Sequence, residues 1–224
     1  LILTLALAAC APAPAPAPEA SSSDDGAMMS DLPADAAADQ VLNVTTGSTG
    51  ANSFSFYPMS GGGDHQSWMP LLYVPPMYFD ANSELQPGVF DSWESNDDST
   101  VWTFTIDSRA QWSDGTPITA DQVIGTWTRM ARPETGMGRI PQYIGNVAGF
   151  DAVRNEGGSE ISGLEAIDDS TIQATLSNPD AIFNWRIATT HMNPIKIDDV
   201  NDENIDNFWL PENNPAVSGP FILE

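Results

Sequence analysis

Two stretches of the chain alternate apolar and polar residues with the period of a β-strand. Residues 96–106, "NDDSTVWTFTI", and residues 167–176, "IDDSTIQATL", each place an Asp-Asp-Ser turn before the alternating part. The apolar side chains of each stretch share one face, because successive strand residues point to opposite sides: Trp102, Phe104 and Ile106 in the first, and Ile172, Ala174 and Leu176 in the second. Each stretch is therefore predicted to be the second strand of a hairpin.

A helical pattern follows the first of these strands. Thr119 suits an N-cap, and Gln122, three residues later, completes a capping box. Asp121 falls in the first turn, where a carboxylate meets the helix dipole favourably. Pro133 is predicted to end the helix. The apolar residues between cap and proline recur at helical spacing: Val123, Ile124, Trp127, Met130 and Ala131.

The remaining segments give weaker patterns. Residues 41–47 alternate in the manner of a strand, and residues 52–67 have the composition of a loop with three consecutive glycines. Residues 67–79 favour a helix that runs into an irregular segment at two prolines. Residues 177–196 predict a loop and a short aromatic helix, and the last four residues, 221–224, predict the start of a strand.

Charge limits the possible partners of the chain. The 224 residues suffice for one medium domain or two small ones. They include 31 acidic and 7 basic residues, for a net charge of −24, and Lys196 is the only lysine. Such a surface repels phosphate, which argues against nucleic-acid binding and against adhesion to anionic lipid through basic residues. Solubility in a saline environment is the favoured reading of the acidity, and a cation-binding surface is the alternative.

The only cysteine, Cys10, follows nine apolar or small residues, "LILTLALAA". That run is too short to cross a bilayer and is typical of the end of a secretory signal peptide. The residues before Cys10 resemble the bacterial lipobox, which implies that Cys10 carries lipid. Residues 1–10 are interpreted as the end of a lipoprotein signal peptide that continues upstream. Residues 11–40, rich in Ala, Pro and Ser, predict a flexible tether.

Asp114 and Asp121 lie in the stretch that most resembles an active-site loop. The dipeptide Asp114-Gly115 is typical of a tight turn, since glycine tolerates a positive φ. Asp121 is already assigned to the helix dipole, and no catalytic partner is close in sequence to either residue. Among so many acidic residues a glycosidase-like carboxylate pair stays possible, but nothing in the sequence selects one.

Other catalytic and metal-binding signatures are absent from the sequence. It contains no G-x-S-x-G and no S-x-x-K motif. His65 and His191 are far apart, and neither lies in H-E-x-x-H. Asp64-His65 is interpreted as part of a glycine-rich surface loop rather than as a base or a metal ligand. The sequence therefore predicts neither a metal site nor a cofactor.

An ordered series of motifs resembles the extracytoplasmic solute-binding proteins of ABC importers, family 5, a group with oligopeptide-, dipeptide-, nickel- and sugar-binding members. The motifs occupy residues 85–106, 110–135, 164–183 and 214–224. The second, "AQWSDGTPITADQVIGTWTRMARPET", resembles the family's most recognisable segment, W-S-D-G-x-P-[VI]-T-A-x-D-[VF]. The sequence departs from the family pattern at two places: Asp107 replaces a common Lys or Arg, and "AVSGP" replaces the commoner "xGTGP". These departures bear on the solvent environment and on the charge of the ligand, and they leave the family resemblance unchanged.

The resemblance implies an α/β, periplasmic-binding-protein-like (type II) fold, in which two lobes close on a ligand by hinge motion. The chain would be the first part of lobe one together with its inserted subdomain. In that frame residues 41–60 begin lobe one, residues 61–197 form the inserted subdomain, and residues 198–224 return to lobe one and are truncated there. Contacts from a second lobe would be missing, so this part alone is expected to bind ligand weakly or not at all.

The resemblance also implies a function. The expected protein is a lipid-anchored, extracytoplasmic binding component that captures peptides, or another small solute, and delivers them to ABC permease subunits without catalysis. In peptide-binding relatives the segment after the first strand gives main-chain hydrogen bonds to the ligand, which makes Ser48, Thr49, Ala51 and Asn52 the candidate contacts. Two alternatives stay open: a secreted acidic hydrolase with a carboxylate pair, and a lipoprotein interaction module without a small ligand.

The capping box yields a first prediction. Replacing Thr119 with Ala removes the side-chain oxygen that caps the helix, and should lower the free energy of unfolding by about 1 kcal/mol. Urea denaturation measures this change. Ligand affinity should stay nearly constant, so a large loss of affinity in a folded Thr119→Ala protein would contradict the structural assignment of this stretch.

Overall fold

The computed structural model describes residues 65–201 and 213–222, all within one compact unit. The predictions made for Cys10, for the tether at residues 11–40, for the strand at residues 41–47 and for the triple glycine lie outside the described residues. The predicted signal peptide, tether and lobe boundaries therefore stay predictions. No helix in the described part is long and apolar enough to span a membrane.

The described residues form two antiparallel sheets. A small two-stranded sheet joins β1 (Met77–Phe79) to β2 (Leu85–Pro87). The main sheet has four strands in the order β3-β4-β6-β5. Their bounds are Phe90–Ser95 for β3, Val101–Ile106 for β4, Leu164–Asp168 for β5 and Thr171–Thr175 for β6.

Both predicted hairpins are present, and their second strands are neighbours. β4 pairs with β3, and β6 pairs with β5, each in antiparallel register. β4 also pairs with β6, so Trp102 lies opposite Ala174 and Phe104 lies opposite Ile172. The two alternating stretches that are similar in sequence thus form the centre of one sheet and present one continuous apolar face.

The repeated Asp-Asp-Ser turns are stabilised by the same kind of hydrogen bond. In the β3–β4 turn the Asp98 carboxylate accepts from the Thr100 hydroxyl at 2.5 Å. In the β5–β6 turn the Asp168 carboxylate accepts from the Ser170 backbone N–H at 2.8 Å and from its hydroxyl at 2.9 Å. These bonds lower the pKa of both carboxyls, because they favour the charged form. Short polar side chains of this kind close a turn locally.

Five helices complete the described structure. They are α1 (His65–Leu72), α2 (Ala120–Ala131), α3 (Ile140–Ile144), α4 (Phe150–Glu156) and α5 (Phe183–Ile187). Three short 3₁₀ turns cover Pro133–Thr135, Thr190–Met192 and Ile197–Asp199. The aromatic helix predicted within residues 177–196 is α5.

α2 confirms the predicted capping box. Thr119 accepts from the Gln122 backbone N–H at 3.4 Å, and the Gln122 side chain accepts from the Thr119 backbone N–H at 3.3 Å. The helix ends at Ala131, and Arg132 is extended with ψ 138°, the conformation that a following proline imposes. Gly115 has φ +83°, as the predicted tight turn requires.

The core lies between α2 and the inner face of the main sheet. Trp127 of α2 is fully buried, packs edge-on against Phe90 at 6.2 Å and donates its indole N–H to the Met192 carbonyl at 3.0 Å. Phe90 in turn packs against Phe104 at 5.1 Å. Burial of each large apolar side chain contributes about 1.5–3 kcal/mol, so these rings account for much of the stability of the unit.

Two sequence predictions were wrong at their edges. Residues 65–67, assigned to a loop, belong to α1, which begins at His65 and continues into the apolar residues beyond the glycines. Phe221 and Ile222, assigned to a strand, are not in one. The Phe221 N–H instead donates to the carbonyl of Leu71 at 3.0 Å, so the last turn of α1 replaces a neighbouring strand as its partner.

Asn193 provides a prediction about the core. Its side chain is fully buried, and neither its amide oxygen nor its amide nitrogen has a hydrogen-bond partner. An unsatisfied buried polar group costs about 1–3 kcal/mol. Replacing Asn193 with Leu, which has a similar branched shape, should therefore raise the free energy of unfolding by about 1 kcal/mol in urea denaturation.

Asn184 is the matched control for this substitution. It is also buried, but its side-chain oxygen accepts from the Trp185 N–H at 3.0 Å. Asn184→Leu removes that bond and should lower stability. If Asn193→Leu lowered stability as much as Asn184→Leu, the amide of Asn193 would have a partner in solution.

Candidate functional site

The residues predicted to contact ligand lie outside the described residues: Ser48, Thr49, Ala51 and Asn52. The same is true of Cys10, predicted to be lipidated. Among the described residues, two segments that are distant in sequence are joined by side-chain contacts. We call residues 112–116 the corner, and residues 190–201 with 213–222 the returning segment. The corner contains the tryptophan, aspartate and glycine of the motif that carries the family resemblance.

Trp112 holds the corner to α2. Its side chain is fully buried, and its indole N–H donates to the Gln122 side-chain oxygen at 2.7 Å. That oxygen also accepts the Thr119 N–H of the capping box, and the Gln122 amide nitrogen donates to Asp198 at 3.4 Å. One buried amide thus joins the corner, the first turn of α2 and the returning segment.

Ser113 pairs the corner with the returning segment through two hydrogen bonds. Its backbone N–H donates to the Val217 carbonyl at 2.7 Å, and its hydroxyl accepts from the Val217 N–H at 3.2 Å. The two residues are 104 positions apart in sequence. The pairing resembles one hydrogen-bonded residue pair of a β-sheet, except that the serine hydroxyl takes the place of a backbone carbonyl as acceptor.

Asp114 adds an ion pair to the same junction. Its carboxylate accepts from the Thr116 N–H at 3.0 Å and from the Thr116 hydroxyl at 2.6 Å, and it also pairs with the Lys196 ammonium. Lys196 chiefly, followed by Thr116, lowers the pKa of Asp114 to about 2, and the pKa of Lys196 is raised in turn. The only lysine of the chain therefore joins the returning segment to the corner.

Ser218 and Gly219 attach the returning segment to α1. The Ser218 hydroxyl accepts from the Val74 N–H at 3.0 Å, and the Gly219 N–H donates to the Leu72 carbonyl at 2.8 Å. A Cβ atom on Gly219 would lie 2.5 Å from the Leu71 carbonyl oxygen, a distance that real Cβ atoms do not adopt. Close approach of two backbones therefore requires glycine at this position of the "AVSGP" motif.

Several carboxylates of the described residues have structural partners. Asp107 pairs with Arg109 at 2.7 Å, and Asp180 pairs with Arg186 at 2.7 Å, while Asp114 pairs with Lys196. Asp121 is exposed in the first turn of α2, as predicted. Within residues 65–201 and 213–222 no group of three or more metal-ligating side chains comes together.

His191 is buried beside Tyr143. The two rings stack at 5.6 Å, and the His191 Nδ1 lies 3.1 Å from the Thr189 hydroxyl. Burial raises the pKa of Tyr143. The placement fits a packed core histidine, and the side chain of His65 lies outside the described residues.

An exposed aromatic patch was not predicted from the sequence. Phe79 of β1 and Trp185 of α5 meet edge-to-face at 5.1 Å, and Trp185 is 52% exposed. Tyr78 and Ile182 are exposed nearby in the chain. The sequence predicted an aromatic helix at α5. A helix of five residues is too short for its sequence pattern to show which aromatic ring is buried and which is exposed. Exposed aromatic residues of this kind are common at binding surfaces.

Comparison with known families gives one extended match. Residues 84–224 match the family described as bacterial extracellular solute-binding proteins, family 5 Middle. The periplasmic oligopeptide-binding protein OppA of Escherichia coli (strain K12) is 34% identical over 157 residues, which cover 68% of this chain and 28% of OppA. The probable deoxycholate-binding periplasmic protein YgiS of the same organism is 30% identical over 159 residues, 68% of this chain and 29% of YgiS.

Solved structures agree with the sequence comparison. Haemophilus influenzae OppA in complex with the peptide RPPGFSPFR superposes with a TM-score of 0.67 at 25% identity, over 75% of this chain and 33% of that one. The Escherichia coli murein tripeptide binding protein MppA superposes with a TM-score of 0.66 at 24% identity, over 76% of this chain and 33% of that one. The chain spans less than a third of the length of the curated relatives OppA and YgiS.

The ion pair of the corner predicts a pH dependence. The pKa of Asp114 is lower in the folded state than its usual value, so the pair stabilises the fold above that usual value, and the contribution is lost as pH falls from about 4 towards 2. Asp114→Asn should therefore lower stability at pH 6 and reduce the further loss on acidification. Urea denaturation at pH 6 and at pH 2.5 measures both effects.

Asp97→Asn is the control, because it makes the same charge change at an exposed position. It should leave the acid-dependent loss near that of the unsubstituted protein. If both variants lost stability equally between the two pH values, the Asp114–Lys196 pair would not contribute to acid sensitivity.

Proposed function

Because the chain belongs to family 5 of the bacterial extracellular solute-binding proteins, we propose that it captures peptides outside the cytoplasm as the binding component of an ABC importer. Delivery to permease subunits is part of this proposal, and so is the absence of a catalysed reaction. The fold is α/β and of the type II periplasmic-binding-protein class. The described part of the chain is the first part of such a fold in our proposal, with an inserted subdomain at residues 61–197.

The observation that carries the proposal is the likeness to OppA. One OppA is 34% identical over 157 residues, and another, solved with a bound peptide, superposes with a TM-score of 0.67. The chain also matches DppE of Bacillus subtilis (strain 168), a dipeptide-binding protein, at 28% identity over 169 residues. Peptide binding is thus the ligand class that recurs in the names of these relatives.

YgiS supplies the alternative ligand class. Its name assigns it probable deoxycholate binding, and it is as extensively matched as OppA. The family resemblance alone therefore does not determine the ligand, and a test has to offer more than peptides.

The hydrolase alternative has no support among the described residues. Asp107, Asp114 and Asp180 each form an ion pair with a basic side chain, and no contact of the described residues favours a catalytic carboxylate pair.

Backbone contacts are the proposed means of ligand capture. In this proposal Ser48, Thr49, Ala51 and Asn52 present main-chain N–H and C=O groups to an extended peptide, which suits a binder of many sequences because such contacts ignore side-chain identity. Cys10 is proposed to carry the lipid, and residues 11–40 to act as the tether. The corner then has a mechanical role, since it is attached to Lys196 and to Val217, which are far from it in sequence.

Native mass spectrometry of the full protein tests the ligand. Protein purified under non-denaturing conditions should carry masses of short peptides, and stripped protein should bind a peptide pool but not deoxycholate, Ni²⁺ or a sugar. Binding of only one of the last three would replace the peptide proposal with that ligand class.

A substitution tests the proposed contacts. Ala51→Pro removes one backbone N–H, and loss of a hydrogen bond from a buried carbonyl costs about 1–3 kcal/mol, so peptide affinity should fall about tenfold in calorimetry. Ala51→Ser retains the N–H and serves as the control. Equal peptide affinity of the two variants would contradict main-chain recognition at this segment.

A further inference from the structure

A groove of about 640 Å³ lies beside α2. One wall is a face of α2 that includes Asp121 and Gly125, together with Arg132 just after the helix; the other is formed by residues 159–162 and the first half of β5. This face of α2 differs from the one that packs on the sheet, which carries Trp127. The volume falls within the range of small-molecule and peptide sites, roughly 300–1,000 Å³.

The groove opens onto β5, an outer strand of the main sheet as far as the described residues go. β5 is at one end of the strand order β3-β4-β6-β5, and within the described residues β6 is its only partner strand. Leu164 and Ala166, whose side chains share the inner face, and Glu165, from the outer face, all line the groove. Because residues from the inner and the outer face of β5 both line the groove, the groove runs along the edge of that strand. An edge strand offers unpaired backbone N–H and C=O groups to a further strand, although the Leu164 N–H at the start of β5 already donates to the Ile161 carbonyl at 2.9 Å.

The length of the groove suits about five extended residues. The lining residues within α2 run from Asp121 to Arg129, about 12 Å at the helical rise of 1.5 Å per residue, and the lining continues to Arg132, which follows the helix in an extended conformation. An extended peptide rises about 3.3 Å per residue, so a pentapeptide is long enough to pass Arg129. Two partly exposed apolar side chains on the walls, Ile124 and Ile197, would contact the side chains of such a peptide.

Charge is distributed unevenly along the groove. α2 runs antiparallel to β5, because the Ala120 N–H at its beginning donates to the Asp169 carbonyl at the end of β5. Arg129 and Arg132, two of only seven basic residues in the chain, therefore line the end near the start of β5. Asp121 lines the opposite end.

The strand-side wall is acidic. Glu160 and Glu165 line it, so a carboxylate is favoured only against Arg129 and Arg132 and is repelled along the strand. A ligand that fits this pattern has one negative charge at one end and neutral residues elsewhere.

We propose that this groove binds a short extended peptide segment that adds as a fifth strand, antiparallel to β5, with its C-terminal carboxylate against Arg129 and Arg132. Strand addition supplies affinity through the backbone, side chains of the segment contact Ile124 and Ile197, and the arginines fix the direction of the segment. Antiparallel orientation follows from the charges, because the start of β5 lies at the arginine end. The site lies on the subdomain and is separate from the segment at residues 48–52, so it goes beyond the proposed function and does not depend on it.

The test titrates two pentapeptides into the ¹⁵N-labelled chain of 224 residues at low ionic strength, followed by NMR. The first peptide is acetylated, alternates threonine and valine, and carries its only charge on a free C-terminal carboxylate. The second has the same body but ends in an amidated lysine. We expect the acidic peptide alone to bind, and to shift the backbone amides of residues 164–166 and of α2. Equal binding of both peptides, shifts confined to other residues, or no binding would overturn the proposal.

Charge variants test the role of the arginines. Arg132→Gln should weaken binding of the acidic peptide about tenfold. The control Arg109→Gln makes the same charge change outside the groove, at a side chain that is 88% exposed, and should change binding less than twofold. Equal losses in the two variants would show non-specific attraction and would overturn the proposal.

A variant on the opposite wall keeps the test valid should Arg132→Gln fold poorly. Glu160 is exposed, and Glu160→Gln removes a like charge from the groove, so it should strengthen binding of the acidic peptide two- to threefold. If Glu160→Gln did not increase the affinity for the acidic peptide, the charge pattern would be contradicted.

Sedimentation of the peptide-free chain tests whether a second copy of the chain occupies the groove. Self-association that Arg132→Gln abolishes would assign the groove to a second copy instead of a peptide.

Discussion

The hydrogen bond between the Trp112 indole and the Gln122 amide is the interaction on which the rest of the described structure depends. Both groups are buried, and a buried polar group without a partner is costly. The 2.7 Å bond satisfies both groups, while the same amide caps α2 and reaches Asp198. The start of α2 is thereby fixed relative to the corner and to the returning segment. Since Trp127 of α2 fills the core against Phe90, the position of the helix determines the packing of the sheet as well.

The positions of two of the few basic residues follow from the same need to join distant segments. In a chain of net charge −24, Lys196 joins the returning segment to the corner, whereas Arg186 pairs locally with Asp180, six positions before it. Arg154 of α4 donates to the carbonyls of Ala131 and Arg132 at the end of α2, where cations also meet the helix dipole favourably. Exposed ion pairs contribute little to stability individually. Lys196 and Arg154 act positionally, because they link segments that are 82 and 23 positions apart in sequence.

In our proposal the family motifs and the ligand contacts are different parts of the molecule. Trp112, Ser113 and Gly219 serve packing and attachment, which explains why they identify the family without indicating a ligand. The proposed ligand contacts at residues 48–52 lie outside the described residues, and the resemblance alone suggested them. The exposed pair Phe79 and Trp185, and the groove beside β5, were not predicted. Both arise from segments that are distant in sequence, and no local pattern reports which surfaces such segments form together.

The sequence by itself determined the features that act over a few residues. The capping box of Thr119 and Gln122, the helix end before Pro133, the positive φ of Gly115 and the Asp-Asp-Ser turns all follow from local hydrogen bonds and steric limits. Only the tertiary structure decided that β4 and β6 are neighbours, that β5 is an outer strand as far as the described residues go, and that Lys196 meets Asp114 across 82 positions. Each of these depends on which apolar faces are buried against each other. Because burial is non-directional, hydrophobic periodicity shows that a face is buried but does not identify its partner.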